Sequence, residues 1–169
     1  STIGVEPTGA AEETDHLVLK AYFDESAVDW VLSEQNVPDV IGFTNVFAHI
    51  ENLNGLLDSL KRLIGRDTIV IIENHYLGAV VDYVQFDTVY HEHPRTYSFN
   101  SFAHIARRLN LGISQVEFVS RYGGNIRVFM HERVNHPVAV DESGLTPRIR
   151  EMSAGVSRRL ESQQEFLSE

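Results

Sequence analysis

The sequence predicts an α/β fold whose mostly parallel sheet ends in an antiparallel hairpin. Short apolar runs alternate with stretches whose apolar residues recur at helical spacing, a pattern typical of βαβ units. The clearest helical stretch is residues 53–64, where leucine and isoleucine return every three or four positions. Towards the C-terminal end, two apolar runs are joined through Gly123-Gly124, and glycine supplies the positive φ angles that hairpin turns need.

The order of the predicted elements supports this architecture. Strands are predicted at residues 2–6, 18–23, 39–44, 68–73, 113–120 and 125–130. Helices are predicted at residues 9–16, 26–35, 53–64, 78–83 and 101–109, and a terminal helix begins near Thr146-Pro147. This order is compatible with the Rossmann-like sheet of the class I methyltransferases, a form that other α/β proteins share.

The start of the chain differs from that of a doubly wound nucleotide-binding domain. Such a domain begins with a strand and a glycine-rich turn, and an acid that holds a ribose follows by about 20 residues. No G-x-G-x-x-G occurs here, and Glu6 lies almost at the N-terminus. We therefore interpret residues 1–130 as a partial Rossmann-like domain without its first strand and glycine-rich turn. Residues 131–169 are interpreted as a linker and C-terminal helix leading to a second domain that the chain lacks.

Composition limits the classes of function. The net charge of −10 argues against nucleic acid or an anionic membrane as the main partner. The absence of cysteine excludes disulfides, thiolate nucleophiles and cysteine-ligated metals. No apolar run approaches the roughly 20 residues of a membrane span, and no signal peptide is recognisable, so we expect a cytoplasmic enzyme. The oligomeric state is left open.

A polar run within Phe86–His93 is the strongest indication of chemistry. Tyr90, His91, Glu92 and His93 are four consecutive side chains that can move or hold protons, and no core strand or amphipathic helix requires such a run for packing. In an extended loop, alternate side chains face opposite ways, so a catalytic set that combines neighbours requires an irregular backbone. A solvated loop with capping histidines is one alternative. A metal site on the two histidines is another, although consecutive ligands have poor geometry.

Four motifs together carry a resemblance to a known family. In chain order they are Gly4-Val5-Glu6-Pro7, Asn45-Val46-Phe47-Ala48-His49-Ile50, Phe86-Asp87-Thr88-Val89-Tyr90-His91-Glu92-His93 and Gly123-Gly124-Asn125-Ile126-Arg127-Val128. The chain thereby resembles the S-adenosylmethionine-dependent sugar C-methyltransferases over residues 3–130, and these act on nucleotide-linked 4-keto deoxysugars. The departure at residues 94–98 leaves the sugar and the methylated position open, and Tyr122, where a histidine is common, removes a possible substrate contact.

The resemblance implies S-adenosylmethionine as cofactor, a nucleotide sugar as substrate and a catalytic set in the polar run. His93 is the predicted base that removes the proton beside the ketone, since an unperturbed histidine has a pKa near 6.5. Glu92 is expected to orient His93 or to share the proton transfer. Tyr90 is expected to donate a hydrogen bond to the developing oxyanion.

The predicted cofactor contacts lie at the carboxyl ends of predicted strands, where ligands bind in such sheets. Glu6, with Pro7 beside it, is expected to accept hydrogen bonds from the ribose hydroxyls, and Phe23 to flank the adenine. Asn45 is expected to contact the methionine part, and His49 to face the same crevice. A surface acid, a core aromatic residue and a helix cap are the alternatives for Glu6, Phe23 and His49.

The predicted substrate contacts are Tyr76, His91, Arg95 and Arg127. Tyr76 ends a polar group, residues 73–76, at the same edge of the sheet, where helix capping is the alternative. Either arginine can clamp a diphosphate with two hydrogen bonds, although an arginine that faces solvent is the commoner case.

Several functions agree with these observations. The leading hypothesis is methyl transfer to a carbon of a nucleotide-linked keto sugar, as in antibiotic or surface polysaccharide sugar biosynthesis. The alternatives are sugar O-methylation, in which His93 deprotonates an alcohol, and a non-catalytic binding module. A nicotinamide-dependent oxidoreductase shares the sheet but is disfavoured by the terminal hairpin and the polar run. The leading hypothesis requires His93 and Glu6 to open onto one crevice.

Overall fold

The computed structural model describes residues 1–9, 15–34 and 36–168. Within these ranges the strands are β1 (Ile3–Val5), β2 (Leu17–Leu19), β3 (Val40–Thr44), β4 (Ile69–His75), β5 (Gly112–Val119) and β6 (Asn125–His131). The helices are α1 (Glu25–Glu34), α2 (Leu53–Leu63), α3 (Leu77–Asp82), α4 (Phe99–Arg108) and α5 (Leu145–Ser168). The helix predicted over residues 9–16 lies mostly outside the described residues.

The strands form two sheets. β1 and β2 pair in parallel, and a second sheet has the order β3-β4-β6-β5. β3 and β4 are parallel, whereas β6 runs antiparallel to both β4 and β5. β4 is central and reads as a nearly continuous apolar run, which is typical of a strand covered on both faces. The predicted α/β fold with a parallel part and a C-terminal antiparallel hairpin is confirmed.

Two strands end two or more residues away from their predicted ends, and one of these ends matters for the site. β2 ends at Leu19, because its pairing with β1 covers three residues only. β4 continues to His75, two residues beyond the predicted end, because Asn74 pairs with Ile126 and His75 with Asn125 of β6. Asn74 and His75, which the sequence pattern places after the strand, are therefore paired residues at the carboxyl end of β4.

Helix boundaries follow their capping residues. The Asn52 side chain accepts a hydrogen bond from the backbone of Gly55 and starts α2, which buries one leucine-rich face. Ser98 and Ser101 form a reciprocal capping box, so α4 begins at Phe99, two residues before the predicted start. None of the described helices is both long enough and apolar enough to cross a membrane.

A chain of aromatic rings connects the two sheets to α4. Phe23, which follows β2, contacts Phe43 of β3 with ring centroids 5.5 Å apart, and Phe43 contacts Phe47 at 5.2 Å. Tyr97 then lies 6.0 Å from Phe47 and stacks on Phe102 of α4 at 5.1 Å. Offset and edge-on ring contacts of this kind contribute beyond area burial, so this chain ties the β1–β2 sheet to the main core.

Candidate functional site

A cavity of about 440 Å³ lies at the carboxyl ends of β3 and β4. Ligands bind at this edge in α/β sheets. Its lining brings together parts of the chain that are far apart in sequence: Asn45, Ala48, Asn74, His75, Asp87, Thr88, Tyr90, His93, Tyr122 and Asn125. The predicted residues Asn45, Tyr90 and His93 thus share one cavity.

Tyr90 and His93 form a hydrogen-bonded pair on the cavity wall. His93 Nδ1 lies 3.1 Å from the carbonyl oxygen of Thr88, and His93 Nε2 lies 3.2 Å from the Tyr90 hydroxyl. A carbonyl oxygen can only accept, so we assign the proton of the neutral ring to Nδ1. Nε2 then accepts the hydrogen bond of the Tyr90 hydroxyl and is the ring nitrogen that can take up a proton.

The polar loop supplies this pair because it is a turn rather than an extended segment. The backbone N–H of His93 donates to the carbonyl of Tyr90 over 2.9 Å, which brings the two side chains to the same side. Their ring centroids are 4.4 Å apart. The backbone of the loop is therefore irregular, as a catalytic set of neighbouring residues requires. It brings together Tyr90 and His93, which are three residues apart, whereas an extended loop would bring together residues two apart.

His49 supports the loop from the other side. Its Nδ1 atom lies 3.0 Å from the carbonyl oxygen of Glu92, and its ring meets the His93 ring with centroids 4.7 Å apart. The contacts of His49 are therefore with the polar loop that carries His93, and its predicted contact with the cofactor stays a prediction.

Asn45 occupies a left-handed conformation, with φ of 54°, directly after β3. Asparagine tolerates this region better than most residues. Its backbone N–H donates to the carbonyl of Glu73 over 2.8 Å, and its Oδ1 accepts from Asn125 Nδ2 over 3.1 Å. The turn after β3 is thereby tied to both β4 and β6.

A buried ion pair lies beneath the cavity. The carboxylate of Glu73, with 3% of its side chain exposed, accepts from Arg127 Nη2 at 2.6 Å and from Arg127 Nε at 2.8 Å. Its other oxygen accepts from Asn125 Nδ2 at 2.9 Å. Burial raises the pKa of Glu73, but the hydrogen bonds from Asn125 and Arg127 and the guanidinium charge outweigh it, so the net pKa is lowered. Glu73 is therefore ionised at neutral pH.

The cavity floor, formed by Asn74, His75 and Asn125, carries atoms without partners. Asn74 Oδ1, His75 Nε2 and Asn125 Oδ1 are buried and have no hydrogen-bond partner among the described residues. Within the same residues, no group of three or more His, Asp or Glu side chains is arranged to hold a metal ion.

Glu92 and His91 make no hydrogen bond to the Tyr90–His93 pair among the described residues, although the His91 ring meets the Tyr90 ring edge-on with centroids 6.0 Å apart. The His91 side chain is 88% exposed, and its Nε2 lies 3.9 Å from the Glu92 carboxylate, which is itself 60% exposed. The hydrogen bonds of the His93 ring go to the Thr88 carbonyl and the Tyr90 hydroxyl, and the role of Glu92 in orienting His93 or sharing its proton transfer stays a prediction.

Both predicted diphosphate clamps are engaged within the protein. Arg95 donates to the backbone carbonyls of Ile50 and Glu51, and so holds the segment before α2. Arg127 is shared between Glu73 and Glu117. Substrate contacts by these two arginines stay predictions.

Tyr76 is turned towards the segment before α5. Its hydroxyl donates to Glu142 over 3.1 Å, and its ring packs on Phe118 at 5.1 Å. The same carboxylate accepts from the backbone N–H groups of Phe99 and Asn100 and so caps α4. Burial first, and then the charge of Glu142, raise the pKa of Tyr76 to about 12.

The other predicted cofactor contacts belong to the β1–β2 sheet. Glu6 accepts from the backbone N–H of Thr8 over 2.8 Å, and this hydrogen bond lowers the pKa of Glu6. Pro7 follows it, and Phe23 packs edge-on against Phe43. None of the three lines the cavity at His93, so their cofactor contacts and the crevice shared by Glu6 and His93 stay predictions.

Sequence reasoning missed several lining residues. Thr88 acts through its carbonyl oxygen, which no side-chain pattern reveals. Asn125 follows the paired glycines, and its signal was only its place in a motif. Tyr122 has a φ of 52° and is 64% exposed, and the indication for it was its place in the resemblance, where a histidine is common.

Comparison with known proteins agrees with this fold. The chain matches a SAM-dependent methyltransferase from Archaeoglobus fulgidus with a TM-score of 0.52 and 14% identity, over 90% of this chain and 67% of that one. It also matches a chain of the Haloferax volcanii complex between the Trm112 methyltransferase activator and a methyltransferase. That match has a TM-score of 0.55 and 11% identity, over 80% of this chain and 73% of that one.

The fold is that of a class I methyltransferase. In this chain the sheet has the order β3-β4-β6-β5, with the antiparallel hairpin β5–β6 at its C-terminal side. A curated relative agrees with the resemblance seen in the motifs: the C-methyltransferase NovU of Streptomyces niveus is 26% identical over 156 residues, which cover 90% of this chain. The chain spans about a third (36%) of the length of that relative. No protein-family model matches the chain.

Proposed function

We propose that this chain belongs to an S-adenosylmethionine-dependent methyltransferase that methylates a carbon of a nucleotide-linked keto sugar. The observation that carries the proposal is the Tyr90–His93 pair, which faces a cavity at the ligand-binding edge of a class I methyltransferase fold. The similarity to a C-methyltransferase supports the choice of carbon as the acceptor.

The residues present fit S-adenosylmethionine. Glu6, ionised and at the carboxyl end of β1, is an acceptor suited to ribose hydroxyls. Asn45 lines the cavity from the turn after β3 and is suited to the methionine part. When bound, S-adenosylmethionine supplies an electrophilic methyl group.

The chemistry of the pair follows from its protonation. The Tyr90 hydroxyl first turns its proton from Nε2 to the ketone oxygen of the sugar, which frees the single lone pair of Nε2 and places the donor where the enolate oxygen forms. Nε2 of His93 then takes the proton from the carbon beside the ketone, while Nδ1–H stays on the Thr88 carbonyl and stabilises the imidazolium. One pair thus provides both the base and the oxyanion contact.

The exposed members of the polar run have a secondary part in this proposal. Glu92 contributes its carbonyl, which accepts from His49 and keeps the loop closed over the cavity. His91 lies at the solvent side and is available to the distal part of a nucleotide sugar.

Hydrogen exchange in deuterated water tests this function. The protein is incubated with S-adenosylhomocysteine and a nucleotide-linked 4-keto sugar, and we expect deuterium to replace the hydrogen beside the ketone. His93→Gln is expected to slow this exchange by about 10²-fold or more. His104→Gln, on the exposed face of α4, is the matched control and is expected to exchange like the wild type.

Two outcomes would contradict the proposal. Methyl transfer to a hydroxyl without exchange indicates O-methylation. No heat of binding with S-adenosylhomocysteine in calorimetry indicates a non-catalytic module.

A further inference from the structure

The cavity floor contains more unpaired polar atoms than a folded protein normally leaves. Asn74 and Asn125 are each 1% exposed, so bulk water does not satisfy their side-chain oxygens. His75 Nε2 is buried and unpaired as well. Native proteins pair the great majority of buried polar atoms, and three exceptions in one cavity lining point to a ligand.

The orientation of Asn125 is determined by its neighbours. Glu73 is ionised and can only accept, so the Asn125 amide group must present its Nδ2 atom to Glu73 Oε1, at 2.9 Å. The same Nδ2 atom donates to Asn45 Oδ1 at 3.1 Å. Asn125 Oδ1 is therefore a fixed acceptor, and a rotation that exchanges its oxygen and nitrogen would break both bonds.

One of the other two floor residues lies beside Asn125. His75 of β4 pairs directly with Asn125 of β6, and side chains directly opposite each other in an antiparallel pair are neighbours on one face of the sheet. Asn74, the preceding residue of β4, projects from the opposite face of the strand and lines the same cavity at the strand end, with its Oδ1 also unpaired. The two carboxamide oxygens accept hydrogen bonds and repel an anion.

We propose that the cavity floor is a subsite for a hydrogen-bond-donating substituent of the sugar ring, a hydroxyl or an amine. This inference rests on the proposed function, because it places the acceptor sugar in the cavity that contains Nε2 of His93. The sugar is the occupant because the proton that His93 removes belongs to it, whereas the diphosphate of the substrate is anionic and is excluded from two acceptor oxygens.

Substitution of fluorine for single ring hydroxyls tests the subsite, because fluorine keeps the size but cannot donate. We expect kcat/KM of the wild type for methyl transfer to fall about tenfold or more when one particular hydroxyl or amine is replaced. In Asn74→Leu this preference is expected to shrink to within about threefold, because one acceptor is gone.

Thermal unfolding of the ligand-free protein gives a second readout. Asn74→Leu removes an unpaired buried oxygen, so its Tm is expected to equal or exceed that of the wild type. Asn52→Ala, which removes the cap of α2, is the matched control: it is expected to lower the Tm and to keep the substrate preference. Asn125→Leu also breaks the bonds to Glu73 and Asn45, so Asn74→Leu is the decisive variant.

Four outcomes overturn the inference. Equal kcat/KM for the parent sugar and every fluorinated analogue refutes the subsite but leaves the proposed methyl transfer intact. A Tm of Asn74→Leu several degrees below that of the wild type indicates that a buried water alone pairs its oxygen. If Asn74→Leu instead weakens the binding of S-adenosylhomocysteine, and only when the amino group of that molecule is present, the floor belongs to the cofactor. Absence of any methyl transfer removes the proposed function and this inference together.

Discussion

At the residue scale, the tautomer of His93 decides what the site can do. The Thr88 carbonyl accepts from Nδ1, and this single backbone contact leaves Nε2 as the acceptor beside Tyr90. If the proton were on Nε2 instead, the carbonyl would face the unprotonated Nδ1, and the base would point into the loop. The reactivity of His93 is thus set by a carbonyl five residues earlier in the chain.

Tyr90→Phe removes the hydroxyl and keeps the ring, so it tests the hydroxyl alone. The ring contact with His93 stays, but the donor to the oxyanion is lost, so kcat is expected to fall by about 10²-fold while the affinity for S-adenosylhomocysteine changes less than about twofold. Steady-state methyl transfer and calorimetry measure the two quantities. Tyr83→Phe, at an exposed tyrosine, is the control. A kcat of Tyr90→Phe equal to that of the wild type would remove the oxyanion assignment.

At the element scale, the ion pair between β4 and β6 links stability to pH. The pKa of Glu73 is lowered in the folded protein, so its contribution is complete above the unfolded value, near 4.3, and is lost as the pH falls through the folded value. We expect Glu73→Gln to lower the free energy of unfolding by about 1.5–3 kcal/mol at pH 7. The difference from the wild type is expected to shrink as the pH falls below about 4.

Urea unfolding between pH 7 and pH 3 measures this effect. Glu117→Gln is the matched control, since Glu117 binds the same Arg127 from a side that is 36% exposed. That variant is expected to lose less than about 1 kcal/mol. A difference between Glu73→Gln and the wild type that stays constant down to pH 3 would contradict a lowered pKa.

The turn between β5 and β6 is a second element whose geometry the site needs. Gly124 has φ of 127°, and a Cβ atom there would lie 2.5 Å from Cβ of Ala79 on α3. Gly124→Ala is therefore expected to lower the free energy of unfolding by about 2 kcal/mol or more and to displace Tyr122 from the cavity. Gly144→Ala, where no atom lies within 4 Å, is the control in the same unfolding assay. Equal stability of the two variants would show that the turn adapts.

At the scale of the whole molecule, the aromatic chain determines whether the two sheets act as one body. Phe47 is fully buried at its centre, and the residue after it, Ala48, lines the cavity. The Tyr97 hydroxyl also donates to the Phe47 carbonyl over 3.1 Å. The packing of the core and the shape of the cavity therefore depend on the same short turn.

Phe47→Ala is expected to lower the free energy of unfolding by about 3–5 kcal/mol, since it leaves a cavity where four elements meet. Phe118→Ala, at a ring that is 58% exposed, is expected to cost less than about 1 kcal/mol. Denaturant unfolding measures both. A loss below 1 kcal/mol in Phe47→Ala would mean that the β1–β2 sheet and the core are not coupled through this ring.

Much of the architecture was predictable from the sequence because it depends on neighbours in the chain. The leucine spacing of α2, the glycines of the hairpin turn and the apolar run of β4 each determine an element within about ten residues. The polar run Tyr90–His93 was predictable for the same reason, since its residue types are adjacent. The early start of α4 was missed because Ser98 and Ser101 cap the helix reciprocally.

The sequence by itself determined the α/β class, the order of the elements and the polar loop whose side chains are the predicted acid–base groups. The tertiary structure alone decided which groups meet: Asn125 binds Asn45 across 80 residues, and Arg95 binds the Ile50 carbonyl across 45. It also decided that Arg95 and Arg127 have partners within the protein and that the Thr88 carbonyl lies against the His93 ring. The physical reason is that hydrogen bonds between distant residues depend on strand order and register, and no local pattern contains that information.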